Sequence, residues 1–86
     1  MDYESILLDY IKNELLHGRI ENLNPKDDLL SAGTIDSVGI LNLVAFMEER
    51  FDISIPDEDV VFENFYSAKA LADYLVNFGN KQELFS

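Results

Sequence analysis

Between Asp2 and His17 the apolar positions recur at helical spacing. Tyr3, Ile6, Leu7, Tyr10 and Ile11 fall on one side, and Glu4, Asp9, Lys12 and Asn13 on the other. The pattern predicts a first amphipathic helix. His17-Gly18 supplies its end, a side chain suited to the negative dipole terminus followed by a glycine for a left-handed cap. His17 is the only histidine, and a catalytic base is the sharper reading of it. No second member of a triad is evident, which favours the capping role.

From Arg19 to Ile35 the period is lost and turn formers take over: Asn22, Asn24-Pro25, Asp27-Asp28, Ser31 and Gly33. A connection this long is either functional or pinned. Ile20, Leu23, Leu29, Leu30 and Ile35 are the residues expected to tack it to the core.

A second helix is predicted from Ser37 to about Arg50, with Gly33-Thr34 breaking the chain before it and Asp36 at the N-cap. At about 100° per residue, Ile40, Leu43, Val44, Met47 and Phe51 share one face. That face is assigned to the core. Val38, Leu41 and Ala45 lie on a different side, beside Asn42, Glu48 and Glu49. This second apolar strip is either a docking surface rimmed by acids or a strip packed under the long connection. Phe46 fits neither face.

Ile53-Ser54-Ile55 then alternates as an extended link, and Pro56 can open a new turn. Asp57, Glu58 and Asp59 suit the first turn of a short third helix, with Val60, Val61 and Phe62 following. Asp57-x-Asp59 lacks the glycine and bidentate glutamate of an EF-hand, leaving only weak surface cation binding to these acids. Ser67 is a good N-cap for a last helix to about Phe78, with Leu71, Tyr74, Leu75 and Phe78 buried and Gly79 as the stop. Residues 79–86 are expected to be a frayed tail. The fold class predicted is all-α, a small bundle of three main helices plus one short one.

Composition narrows the function. The 86 residues allow one domain with a modest core and no deep enzymatic cleft. Seventeen Asp and Glu against 6 Lys and Arg give a net charge of −11. Such a field repels nucleic acid and anionic membranes and attracts basic protein surfaces. With 48% hydrophobic residues the chain is not a disordered acidic tail. No cysteine is present, so disulfides, thiolate metal sites and thiol nucleophiles drop out together. No membrane-length apolar run and no signal segment is evident, and a soluble cytoplasmic monomer is expected.

The remaining chemistry gathers at Ser37. A serine at a helix N-terminus meets unpaired N–H groups and the positive dipole end, a good place for a phosphate ester. An isolated Asp-Ser there is also just a cap. The longer string GTIDSVGILNLVAFMEERFDISIPDED, within a span from about Leu29 to Leu75, resembles the acyl carrier protein family. Asp36, Ser37, Phe51, Ile55, Pro56 and Asp57 fall on characteristic family positions.

The resemblance implies that Ser37 carries 4′-phosphopantetheine, attached covalently from coenzyme A by a separate, Mg²⁺-dependent phosphopantetheinyl transferase. Asp36 would then add a transferase contact to its capping role, and Leu29-Leu30 would pack beneath the serine. Val38, Leu41, Ala45, Glu48 and Glu49 become the docking face for an acyl- or aminoacyl-loading enzyme and for a downstream synthase or transferase. The chain would have no catalytic residues and no resident metal. Gly39 and Asn42 stand where carriers of fatty-acid synthesis usually have acids. In this the chain looks more like stand-alone carriers of specialised metabolism, such as those for a glycolysis-derived three-carbon unit or methoxymalonyl, and is similar to the D-alanyl carrier of teichoic-acid modification. The alternative is a phosphopantetheine-free acidic helical module that binds a basic partner.

Overall fold

Helix α1, Tyr3–Tyr10, starts on Asp2, whose carboxylate accepts from the Ser5 N–H at 3.1 Å and the Ser5 hydroxyl at 2.7 Å. These bonds hold the Asp2 carboxyl below its ordinary value. The computed structural model describes residues 2–19, 22–31 and 33–85, and for 79–85 the backbone alone. Ile20, one of the expected anchors, lies outside the described residues.

The first helix does not keep its α winding to His17. From Ile11 to Leu15 the turn widens to π geometry, with Leu16 N–H donating to Ile11 O at 2.9 Å. The reason is packing. At about 100° per residue Leu16 would point about 140° away from Ile11, whereas the wider turn carries it inward, where it is buried at 7% exposure. The left-handed cap also comes one residue earlier than expected. His17 itself has φ 52 and Gly18 follows at φ 75, closed by Gly18 N–H to Lys12 O at 2.8 Å and Arg19 N–H to Leu16 O at 3.0 Å.

Helix α2 runs Ser37–Phe51 and ends on Asp52 in the left-handed conformation, φ 55. Leu43 and Met47 are fully buried, with Ile40, Val44 and Phe51 half-buried around them. Phe46 finds its place against α1. Its ring stacks on Tyr10 at 4.0 Å and 16° and meets Phe51 edge-on at 6.3 Å.

The acidic segment is split where one short helix was expected. Asp57–Asp59 form a 3₁₀ turn, and α3 is a separate turn at Phe62–Phe65. Asp59 explains the break, because its side chain and backbone are both committed elsewhere. Its Oδ2 accepts from the Tyr74 hydroxyl at 2.7 Å, and its carbonyl from Asn64 Nδ2 at 2.9 Å. Burial, and then the Asp59 hydrogen bond and charge, push the Tyr74 phenol well above its ordinary value.

Helix α4, Ala68–Phe85, is capped by buried Ser67, whose Oγ accepts from the Ala70 N–H at 3.1 Å. It continues through Gly79, where a stop was expected. A glycine weakens a helix interior by about 0.5–1 kcal/mol but does not by itself end it. Helices α1 and α3 both pack on α4. The core joins Leu7 of α1, Ile11 of the π turn that follows it, Leu43 and Met47 of α2, Phe65 of α3, and Leu71 and Leu75 of α4. No strand occurs among the described residues, and no helix there is long and apolar enough to cross a membrane.

Candidate functional site

The connection ahead of α2 is tied down at several of its described residues. Leu23, Leu29 and Ile35 are buried and Leu30 is half-buried. Leu29 N–H donates to Tyr66 O at 2.7 Å, Ile35 N–H to Leu29 O at 3.0 Å, and Lys69 N–H to Pro25 O at 2.8 Å. Asp28 Oδ1 accepts from Leu30 and Ser31 N–H at 3.1 and 2.9 Å. The Ser31 bonds, with a smaller one from Leu30, keep the Asp28 carboxyl below its usual value. Gly33 then turns the chain at φ 72, with its N–H on Leu30 O at 3.1 Å.

What this frame delivers is Asp36 and Ser37. Asp36 is extended, with φ −98 and ψ −172, and its Oδ1 accepts from Gly39 N–H at 2.9 Å while its carbonyl accepts from Ile40 N–H at 3.0 Å. Such a cap is worth about 1 kcal/mol. Ser37 is the first helical residue and is exposed. Gly39, one turn in, is buried because position 39 has no room: a Cβ there would stand 2.5 Å from Ile35 Cγ2.

The other candidate residues separate. Val38 and Leu41 are 63% and 67% exposed, and Ala45 and Glu49 are exposed with them. Among the described residues the strip does not pack under the connection. Glu48 departs from its expected place on the rim. It is half-buried, and its Oε2 accepts from Ile55 N–H at 2.8 Å, holding the extended link to α2. Val61 and Phe62, 43% and 51% exposed, are surface residues that the helical period does not mark. Their signal is an apolar pair flanked by Asp57, Glu58, Asp59 and Glu63, with no helical period to draw it inward.

One cavity borders the site and another lies far from it. A groove of about 420 Å³ flanks it, lined by Glu14, His17, Arg19, Thr34, Asp36, Val38 and Asn42 among others. A larger one of about 550 Å³, lined by Tyr3, Phe51, Asp52, Ile53, Ser54, Leu75 and Phe78, lies at the opposite end of α2. At 1.5 Å per residue that is about 20 Å from Ser37, too far to serve the serine directly. No cluster of metal-ligating side chains occurs among the described residues.

A family model described as the phosphopantetheine attachment site matches residues 6–75. An acyl carrier protein of Syntrophobacter fumaroxidans is 35% identical over 69 residues, covering 80% of this chain and 82% of that one. The chain belongs to the acyl carrier protein family. The carrier is also similar to the D-alanyl carrier proteins of Streptococcus suis, at 29% identity over 88% of this chain and 94% of that one, and of Streptococcus sanguinis, at 24% over 93% and 99%. Its cofactor is 4′-phosphopantetheine, and an exposed serine at the start of α2, where Asp36 already supplies the cap, fits such a group.

Proposed function

We propose that Ser37 is the attachment point and that the carrier holds an acyl or aminoacyl group while partner enzymes act on it. The observation that carries this reading is the exposure of Ser37 on a capped first turn. Asp36 satisfies Gly39 N–H, so the serine hydroxyl is not needed as the cap and is free to be esterified. Once attached, the prosthetic group supplies a thiol on a long arm, which a chain without cysteine cannot provide. The chain itself fixes the origin of that arm and presents a surface to be read.

That surface is Val38, Leu41 and Ala45 with Glu49 at its edge; Glu48 contributes by fastening the link at Ile55. Its apolar centre, with Gly39 and Asn42 in place of acids, suits partners that add apolar contact to charge steering. This supports a carrier of specialised metabolism or of aminoacyl transfer, working in the cytoplasm where coenzyme A and a transferase are at hand. The partners are a phosphopantetheinyl transferase, a loading enzyme for the acyl or aminoacyl group, and a downstream synthase or transferase.

Intact-protein mass spectrometry after incubation with coenzyme A, Mg²⁺ and a promiscuous phosphopantetheinyl transferase tests the assignment. Wild type should gain one phosphopantetheine and Ser37→Ala none, with the variant's stability close to wild type because the residue is exposed. Loading of the Ser37→Ala variant would move the attachment elsewhere. No gain in either protein would favour a module that binds its partner without the group.

A further inference from the structure

Phe46 belongs neither to the core face of α2 nor to its Val38, Leu41 strip, and nothing in the carrier function described above uses it. With Ile6, Asp9, Tyr10, Asn13 and Glu14 it lines a cleft of about 270 Å³ between α2 and the first helix with its π turn. We propose that this cleft seats an arginine side chain of a protein partner, on a face of the carrier separate from the one that presents Ser37.

The lining carries the chemistry. The half-buried rings of Tyr10 and Phe46 stack at 4.0 Å and 16°, and the exposed carboxylates of Asp9 and Glu14 stand beside them. Neither carboxylate has an ion-pair partner among the described residues. Tyr10 is held in place, its hydroxyl donating to Asn42 O at 3.3 Å. Burial, and then the charge of Glu14, raise the Tyr10 phenol above its ordinary value, which sets that carboxylate close to the ring. A guanidinium lies flat on an aromatic face while its N–H groups reach neighbouring carboxylates, a combination that a lysine ammonium matches poorly. The same aromatic cluster already holds one guanidinium from within the chain. Arg50 Cζ lies 5.6 Å from the centroid of the Phe51 ring, and Phe51 meets Phe46 edge-on.

Size and charge select the occupant. About 270 Å³ is below the range of about 300–1,000 Å³ typical of small-molecule sites and leaves room for a single side chain. A second copy of the chain would bring two bodies of charge −11 together with the same acids facing each other. Nucleic acid and anionic membranes are repelled for the same reason. Phe46 lies about 14 Å along α2 from Ser37 and about 180° round it. A partner gripping the cleft therefore leaves the serine and the Val38, Leu41 strip open, and holds the carrier while other enzymes act on it.

The test titrates isotope-labelled carrier with a capped Gly-Arg-Gly peptide and with its Gly-Lys-Gly counterpart, read by NMR chemical shifts. Shifts should concentrate at Ile6, Tyr10, Asn13 and Phe46, with the arginine peptide bound about two- to fivefold more tightly than the lysine one. Asp9→Asn with Glu14→Gln, both at exposed positions that leave the fold intact, should weaken the arginine peptide by about two- to fivefold. Phe46→Leu should abolish the preference for arginine over lysine. Shifts spread evenly over the acidic surface, equal affinity for the two peptides, or no loss in the Asp9→Asn, Glu14→Gln variant would overturn the seat. Loading of that variant from coenzyme A, followed by intact mass, should match wild type. Slower loading would place these acids in the transferase contact and defeat the separate face.

Discussion

Replacing Gly39 by alanine should destabilise the carrier, although the same change inside most helices is favourable. The added Cβ would stand 2.5 Å from Ile35 Cγ2, whereas carbon pairs settle near 3.5–4.0 Å, so something must yield by about 1 Å. Ile35 cannot yield cheaply. It is buried, β-branched and therefore stiff at χ1, and its N–H is held by Leu29 O at 3.0 Å. Overpacking costs about 1–3 kcal/mol, partly offset by the ~0.5–1 kcal/mol that alanine gives a helix. The net loss is about 1–2 kcal/mol, and at about 4–8 °C per kcal/mol for a domain of this size the Tm falls by about 4–16 °C. Thermal melts by circular dichroism read this directly. Ile35→Leu removes the offending γ-methyl at nearly constant volume, so the double variant should recover about 1 kcal/mol relative to additivity. A Gly39→Ala variant as stable as wild type, or strict additivity in the double variant, would refute the packing argument.

Tyr74→Phe should cost about 1.5 kcal/mol, the lower end for a hydrogen bond to a carboxylate, because Tyr74 is partly exposed. In the wild type the raised Tyr74 phenol keeps its full contribution below about pH 10 and loses it as the pH climbs beyond that. Urea midpoints measured across that window should therefore fall more steeply in wild type than in the variant, and parallel curves would remove the phenol from the account. Leu41→Arg should leave helical circular dichroism near native, since the side chain is 67% exposed, while abolishing transfer of an acyl or aminoacyl group by partner enzymes; loss of the fold would put Leu41 in the core. With a net charge of −11, added salt should raise the Tm by screening self-repulsion, and a Tm indifferent to ionic strength would show that the charges are too well spread to matter.

Much of the frame was legible because local rules decided it. Asp36 and Ser67 cap where their side-chain chemistry says they should, and the 3.6-residue period picked Leu43 and Met47 as core. Turn formers marked the connection, and its anchors Leu23, Leu29 and Ile35 are buried as expected. What escaped depends on partners distant in sequence. The widening at Ile11–Leu15 answers the need to bury Leu16, Phe46 takes its position from Tyr10, and Glu48 turns inward to reach Ile55 N–H. Asp59 breaks the acidic helix because Tyr74 and Asn64 claim it. At the site, Gly39 read only as a missing acid, and its lack of a side chain is required by Ile35.

The hydrogen bond from Leu29 N–H to Tyr66 O has a mechanical meaning for a shuttle. Residues 22–31 and 33–35 form a loop by secondary structure, yet they act as a strut between the α3–α4 junction and the first turn of α2. Displacing Ser37 along the body means breaking that bond and extracting Leu29 and Ile35 from the core, a cost of several kcal/mol. With Ser37 as the proposed attachment point, thermal energy therefore leaves the origin of the arm where it is. Search between partners is left to the arm and to diffusion of the whole carrier, and a partner that grips α3 and α4 holds the serine in fixed register with its own active site.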